Sequence, residues 1–394
     1  MTDMQERRKP KDRDFLRTRE GMFFCVTGYL HPPDRYTAYL KYSPAASGKW
    51  HNAETAYQRE LPYYHVRSVE DTIQHLEAHY PWYVADCPVR NIRFSMVPRE
   101  YVARYYDPQE RLREILAHPG DSLEEEVCGL ATEIAETAGV PVGDLGITGS
   151  ILIGLHNPTF SDIDLVVYGR QSARRVRRAL GAGDNESGKE RRGRAAQSAA
   201  PRIRELGAAF IERWSRGIAE RFPLTVSEAQ YLARRRWNYG WYGERYFSIH
   251  PIRTDDEITE HYGDHIYRGQ GAARIRATVV GTSDALFMPA GYLLADVEVL
   301  EGLAEAADVR ELVSYEGLYR DVADVGQRIE AKGNVERVDA DIADIDSASV
   351  RASAADPKGF GKPLGSDIRL VVGTSALKGE GYIRPLPAGD SADN

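Results

Sequence analysis

The chain has 394 residues, 42% of them hydrophobic and 28% charged, and a net charge of −8. Such a length accommodates two or three domains with separate cores, and no apolar run approaches the ~18 residues that a bilayer crossing requires. The acidic balance excludes a polycation that coats nucleic acid without selectivity, so any such contact must come from a local patch. Cys25, Cys87 and Cys128 stand far apart without ligand spacing, which argues against a disulfide framework or a structural zinc site. The charged N-terminus, 1–20, lacks an apolar leader segment and reads as a frayed tail of a cytoplasmic protein.

From Met22 to Tyr42, two aromatic, β-leaning runs flank the turn signal His31-Pro32-Pro33-Asp34, which predicts a hairpin. Ser68 opens a helical pattern to Tyr80, and residues 98–118 read as helical with an interruption at Asp107-Pro108. Leu123, Val127, Leu130 and Ile134 form a 3.6-residue stripe that ends at Gly139, a further helix. Residues 170–180 are again helical, and the polar run 181–202 reads as an exposed loop. Two helical pieces follow, then the strand candidate Arg245–Arg253. From Arg274 onward, short alternating runs punctuated by glycine predict many short strands, interrupted by the acidic loop 339–359.

The chemistry concentrates in "ITGSILIGLHNPTFSDIDLVVYG", 147–169. On a strand, Asp162 and Asp164 project to one face while Ile163 and Leu165 face the other way. Two adjacent carboxylates are costly to keep ionised without a cation, and ligation of Mg²⁺ removes that cost. Gly149 permits a tight bend, and Ser150 and the neighbouring N–H groups of a helix start suit a phosphate. A phosphate turn followed thirteen residues later by paired aspartates is the layout for metal-assisted nucleotidyl transfer.

Gly149, Ser150, Gly154, Ser161, Asp162 and Asp164 together resemble the signature of the DNA polymerase β-type nucleotidyltransferase superfamily. The wider chain, through "GYLHPPDR", "SILIGLHNP" and "FSIHP", resembles a group of uncharacterised archaeal predicted nucleotidyltransferases with a β-rich C-terminal part. The resemblance implies that Gly149 and Ser150 hold the triphosphate and that Asp162 and Asp164 are the catalytic, metal-binding residues, with Mg²⁺ or Mn²⁺ as cofactor. Two departures stand out. Ile151, Leu152 and Ile153 occupy the stretch where many superfamily members carry a basic residue, which turns attention to Arg174, Arg175, Arg177 and Arg178. The third carboxylate expected on a later strand is absent from 245–253, where Ser248 and His250 share a face, leaving His250 or Asp255 as the candidate third ligand or base.

The expected fold is an α/β (α+β) nucleotidyltransferase core at 123–268 with a mixed sheet and flanking helices. An N-terminal α+β unit at 21–122 precedes it, and a C-terminal antiparallel β-barrel-like domain at 269–384 and a disordered tail at 385–394 follow. The expected reaction transfers NMP from an NTP, ATP among the choices, to an acceptor hydroxyl and releases pyrophosphate. The acceptor stays open among RNA or other nucleic acid, a small molecule and a protein; no membrane partner is expected. The missing third acid keeps a second reading in play, a non-catalytic nucleotide-sensing or nucleic-acid-binding module. "ARRRWNYGWYGERY", 233–246, mixes arginines with Trp237, Tyr239 and Trp241, the ingredients of phosphate contact and base stacking, and equally of packing beneath a loop.

Overall fold

The computed structural model describes residues 8–52, 54–60, 66–181, 202–340 and 367–387. Its first strands are β1 (Phe15–Thr18), β2 (Phe23–Val26), β3 (Arg35–Ala45), β4 (Trp50–His51) and β5 (Ala56–Arg59). Next come α1 (Val66–His79), β6 (Val84–Cys87), β7 (Ile92–Pro98) and β8 (Val102–Tyr106). The middle of the chain holds α2 (Pro108–Ala117), α3 (Ser122–Ala138), β9 (Leu145–Thr148), α4 (Gly149–Leu152), β10 (Ile163–Tyr168) and α5 (Arg170–Leu180). It continues through β11 (Ile203–Arg204), α6 (Ala208–Ala219), α7 (Val226–Arg234), β12 (Tyr239–Tyr242) and β13 (Arg245–Ile252). The last strands are β14 (His265–Asp284), β15 (Ala290–Gly302), β16 (Glu311–Ser314), β17 (Arg328–Ala340), β18 (Asp367–Val372) and β19 (Tyr382–Pro385). Most of the polar loop expected at 181–202, most of the acidic loop at 339–359 and most of the expected C-terminal tail lie outside the described residues.

The fold is mixed α+β and gathers into two compact units that interleave along the sequence. One contains the described parts of 1–29, 38–62 and 97–258, the other those of 30–37, 63–96 and 259–394. The first unit holds two sheets. One is antiparallel in the order β4-β5-β3-β2-β1-β8. Its Phe15, Phe23, Tyr42 and Tyr57 share a core with Leu152 and Leu155, residues that directly follow the Gly149-Ser150 turn. The N-terminal strands therefore contribute to the same core as the turn. The second sheet has the order β11-β12-β13-β10-β9, with β10 and β13 parallel and the other neighbours antiparallel. Ile163, Leu165 and Ile249 are fully buried, anchoring β10 and β13.

Local signals set the helices. The Asp107 side chain accepts from Gln109 N and Glu110 N and Pro108 occupies the first turn of α2, while Asp121 caps α3 and Gly139, at φ 63°, closes it in the left-handed conformation. Residues 98–106 depart from the helical expectation. A short 3₁₀ turn at Arg99–Tyr101 leads into β8, which pairs with β1 in the register Leu16↔Tyr105. The pairing satisfies the backbone of β1, whose Phe15 and Leu16 are fully buried, and sheet pairing outweighs the local helical pattern.

The described part of the expected N-terminal tail is also ordered. Arg8 makes a two-pronged ion pair with the fully buried Asp14, at 2.6 and 2.9 Å, and its guanidinium also reaches the hydroxyls of Tyr105 and Tyr168 and the carboxylate of Asp107, each at 3.0 Å. Charge density that reads as a solvated tail in sequence is consumed by internal pairing.

In the second unit, strands run β14-β15-β16-β18-β17-β19, and β17 also pairs with β14, so β14 to β18 each have a paired strand on both sides. The pairings are antiparallel except β16–β18, which is parallel, a departure from the all-antiparallel expectation. The α1 helix and the β6–β7 turn belong to this unit.

Asp14→Ala leaves the Arg8 guanidinium without its main partner in a low-dielectric site, and removal of one member of a buried pair costs about 3–5 kcal/mol. Urea unfolding of this variant is expected to show that loss; wild-type stability would contradict the role assigned to the pair.

Candidate functional site

The site begins where β9 ends. Gly149 has φ 70°, and a side chain there would bring its Cβ within 2.6 Å of Asp164 Oδ2. Glycine is needed for both the left-handed backbone and the close approach. β10 returns beside β9 with Asp164 opposite Thr148, which sets the carboxylate one residue from the turn. Ser150 is buried at the start of α4. Asp162 lies immediately before β10 and is exposed, whereas the Asp164 side chain is 25% exposed.

The parallel strand β13 supplies the next layer. Ser248 stands opposite Asp164, and its hydroxyl donates to Asp164 Oδ1. His250 Nε2 is 2.8 Å from Ser248 Oγ and 3.9 Å from Asp164 Oδ1. With the serine proton directed to the carboxylate, the imidazole Nε2–H donates to Ser248 Oγ. A hydroxyl and an imidazole thus stand where a third carboxylate is expected. Among the described residues, no group of three or more His, Cys, Asp or Glu side chains is gathered as a metal-binding cluster. Asp255 follows the far end of β13, past the Tyr168↔Ile252 pair, and is ion-paired with Lys11. The structure therefore brings together Gly149, Ser150, Asp162, Asp164 and His250, and sets Asp255 at the opposite strand end from Asp164.

The electrostatics follow from that crowding. The negative charge of Asp164 first, and desolvation second, push the Asp162 carboxyl up to about 6, against the opposing pull of Lys41 and Arg59. For Asp164, desolvation pushes upward, but the nearby His250 and Lys41 and the hydrogen bond from Ser248 outweigh it and hold the group below the usual carboxylate range. Burial, the neighbouring Tyr239 and both aspartates keep the Tyr246 hydroxyl well above its ordinary value.

The loop that delivers Asp162 is clamped. Arg245 donates from Nη1 to the Ser161 carbonyl at 2.9 Å and from Nη2 to the Pro158 carbonyl at 2.7 Å, while its Nε bonds Glu126 at 2.9 Å. Asn157 N–H donates to Ser161 Oγ, and His156 Nε2 is 2.8 Å from Asp121 Oδ2. Five donors in a planar fork let one arginine fix both ends of the turn, which lysine cannot do.

Sequence reasoning missed Lys41, Arg59 and Arg245. Lys41 is 4% exposed on β3, and the available signal was a lysine set between Leu40 and Tyr42 in an otherwise aromatic strand. The arginines proposed in its place lie along α5. There Arg174, Arg175 and Arg178 are exposed, Arg175 binding the Gly139 carbonyl and Arg178 the Arg174 carbonyl.

Because Asp164 is the leading cause of the Asp162 shift, Asp164→Asn should return the Asp162 carboxyl toward the ordinary range near 4. Carbon-13 NMR titration of the metal-free protein reads this directly: a midpoint near 6 in wild type, lower in the variant. A midpoint that stays near 6 in the variant would refute the assignment of cause.

Comparison with known proteins agrees with this geometry. Residues 127–210, which include the turn, the aspartate pair and the start of α6, match the nucleotidyltransferase domain family. An uncharacterised protein of Methanocaldococcus jannaschii is 29% identical over 336 residues, covering 84% of this chain and 92% of that protein. No solved structure matches. No helix among the described residues is long and apolar enough to cross a membrane. The chain thus carries, at residues 127–210, a nucleotidyltransferase domain of the DNA polymerase β type.

Proposed function

We propose that this protein transfers a nucleoside monophosphate from an NTP to an acceptor hydroxyl in the cytoplasm and releases pyrophosphate. The observation that carries the reading is the Asp162–Asp164 pair beside the Gly149-Ser150 turn inside the matched domain. The domain match favours transfer over a purely binding role.

The residues suit a divalent cation. Two carboxylates whose mutual repulsion raises the Asp162 pKa leave negative charge that Mg²⁺ or Mn²⁺ offsets, and two protein oxygens with water and substrate phosphate meet the demand of Mg²⁺ for six oxygen ligands. Asp162 and Asp164 would hold that ion, which when bound neutralises charge developing on the phosphates. Gly149 and Ser150 cradle the triphosphate, and Lys41 and Arg59 supply the positive charge that Ile151 to Ile153 do not. The acceptor oxygen forms a bond to the α-phosphorus as the bond to the pyrophosphate oxygen breaks. The acceptor proton leaves to solvent water. Ser248 and His250 hold Asp164 ionised and aimed. In the second unit, the strands with partners on both edges serve as a β-barrel-like accessory domain.

The test is incubation of the full chain with Mg²⁺ or Mn²⁺, each α-labelled NTP in turn, and a pool of cellular RNA and small molecules. Asp162→Ala and Asp164→Ala should each lower transfer by about 10³-fold, equivalent to roughly 4 kcal/mol of barrier. Lys41→Met should raise KM for the NTP by about 10-fold, the loss of one charge-assisted phosphate contact. Full transfer by Asp164→Ala would overturn the reading.

A further inference from the structure

The α1 helix of the second unit carries two histidines that the transferase site does not use. His75 and His79 stand four residues apart, which makes them neighbours on one face of the helix, one turn above the other. Their ring centroids are 4.7 Å apart and the ring planes differ by 30°. His75 is half-buried and His79 is exposed, so solvent reaches the pair. His79 Nδ1 is 2.9 Å from the His75 carbonyl oxygen. A carbonyl only accepts, so Nδ1 carries the proton and the lone pair of the neutral ring is on Nε2. Among the described residues, His79 Nε2 and both ring nitrogens of His75 have no hydrogen-bond partner.

Two imidazoles at i and i+4 of a helix have the spacing at which one ion is chelated from a single face. Nitrogens bound to one ion at about 2.0–2.1 Å lie about 3 Å from each other. Rings centred 4.7 Å apart reach that spacing by rotation about the Cβ–Cγ bond, a soft torsion in histidine. The bond from Nδ1–H to a backbone carbonyl is the support that metal-bound histidines ordinarily have, because it fixes both the tautomer and the ring. The surroundings favour a cation as well. His79 lies in the last turn of α1, at the negative end of the helix dipole, and the exposed Asp71 stands one turn before His75 on the same side of the helix. Glu77 is engaged elsewhere, with its Oε1 2.5 Å from Arg93 Nε. No third His, Cys, Asp or Glu is gathered with the pair among the described residues, so water completes the coordination and the ion exchanges readily. Imidazole nitrogen suits Zn²⁺, Ni²⁺ and Cu²⁺, whereas Mg²⁺ takes oxygen ligands.

We propose that His75 and His79 form a site for one divalent transition-metal ion, Zn²⁺, Ni²⁺ or Cu²⁺, bound through His79 Nε2 and a ring nitrogen of His75. The site is separate from Asp162 and Asp164 in place and in ligand chemistry, and the inference does not depend on the transferase reading. A bound ion ties together the last two turns of α1.

The experiment titrates Zn²⁺ into the full chain, prepared without a histidine tag and stripped of metal, in excess Mg²⁺. It follows the histidine ¹⁵N and ring-proton NMR signals and the thermal midpoint. In wild type the signals of His75 and His79 should shift, with His79 showing ligation at Nε2, and the midpoint should rise with Zn²⁺ concentration. Ni²⁺ and Cu²⁺ should compete for the same rings and Mg²⁺ should not. His75→Gln and His79→Gln, made separately, should each weaken Zn²⁺ binding by at least about 10-fold, since losing even a supporting partner of a ligand costs that much. Glutamine is a good helix former, so both variants should unfold like the metal-free wild type. Zn²⁺ that shifts neither ring, that is taken up only by other groups of the chain, or whose affinity neither variant lowers would overturn the proposal.

Discussion

Repulsion between the carboxylates of Asp162 and Asp164 is the constraint to which the rest of the site responds. The two groups are forced together by the alternation of β10, because burying Ile163 and Leu165 on one face obliges their neighbours to share the other. Each is treated differently. Asp164 is stabilised as an anion by the Ser248 hydroxyl and by His250, whereas Asp162 is left exposed with a raised proton affinity. The asymmetry leaves one member of the pair held as an anion and the other the more readily protonated.

Holding this arrangement requires structure from well outside the matched domain. The turn at Gly149 can approach Asp164 only while α4 stays seated, and Leu152 at the end of α4 and Leu155 beyond it pack among Phe15, Phe23, Tyr42 and Tyr57. The N-terminal strands therefore do two things at once: they complete the core beneath the turn, and through Lys41 and Arg59 they bring positive charge toward the aspartates. The Arg8–Asp14 pair ties the beginning of the described chain to Tyr105 on β8 and Tyr168 on β10. On the other side of Asp162, Arg245 fixes the loop by gripping two carbonyls. Rigid support of this kind is what turns a collection of polar residues into a site with a defined geometry.

Much of the site was legible because its signals are local. The Gly-Ser turn, the alternating aspartates and the Ser248/His250 face depend on φ and on strand period, which a sequence displays within a few residues. Helices α2 and α3 were equally readable from Asp107-Pro108 and from the stripe ending at Gly139. What stayed hidden depends on distant pairing. Residues 102–106 become a strand only because β1 needs a partner, and Arg8 is drawn in only because Asp14, Tyr105, Asp107 and Tyr168 receive its guanidinium. Lys41 could be noticed as an oddity in its strand, but its electrostatic pull on Asp162 acts between residues more than a hundred positions apart. For the same reason the interleaving of the two compact units has no counterpart in composition, which reports only neighbours along the chain.

The central claim, that the paired aspartates form a divalent-cation site serving a bound nucleotide, is tested most directly by Mn²⁺ electron paramagnetic resonance with a non-hydrolysable NTP analogue. The account predicts that Mn²⁺ is bound more tightly when the analogue is present and that Asp164→Asn removes this bound signal while the protein remains folded. Mn²⁺ binding that is unchanged by Asp164→Asn, or that is indifferent to the analogue, would contradict it.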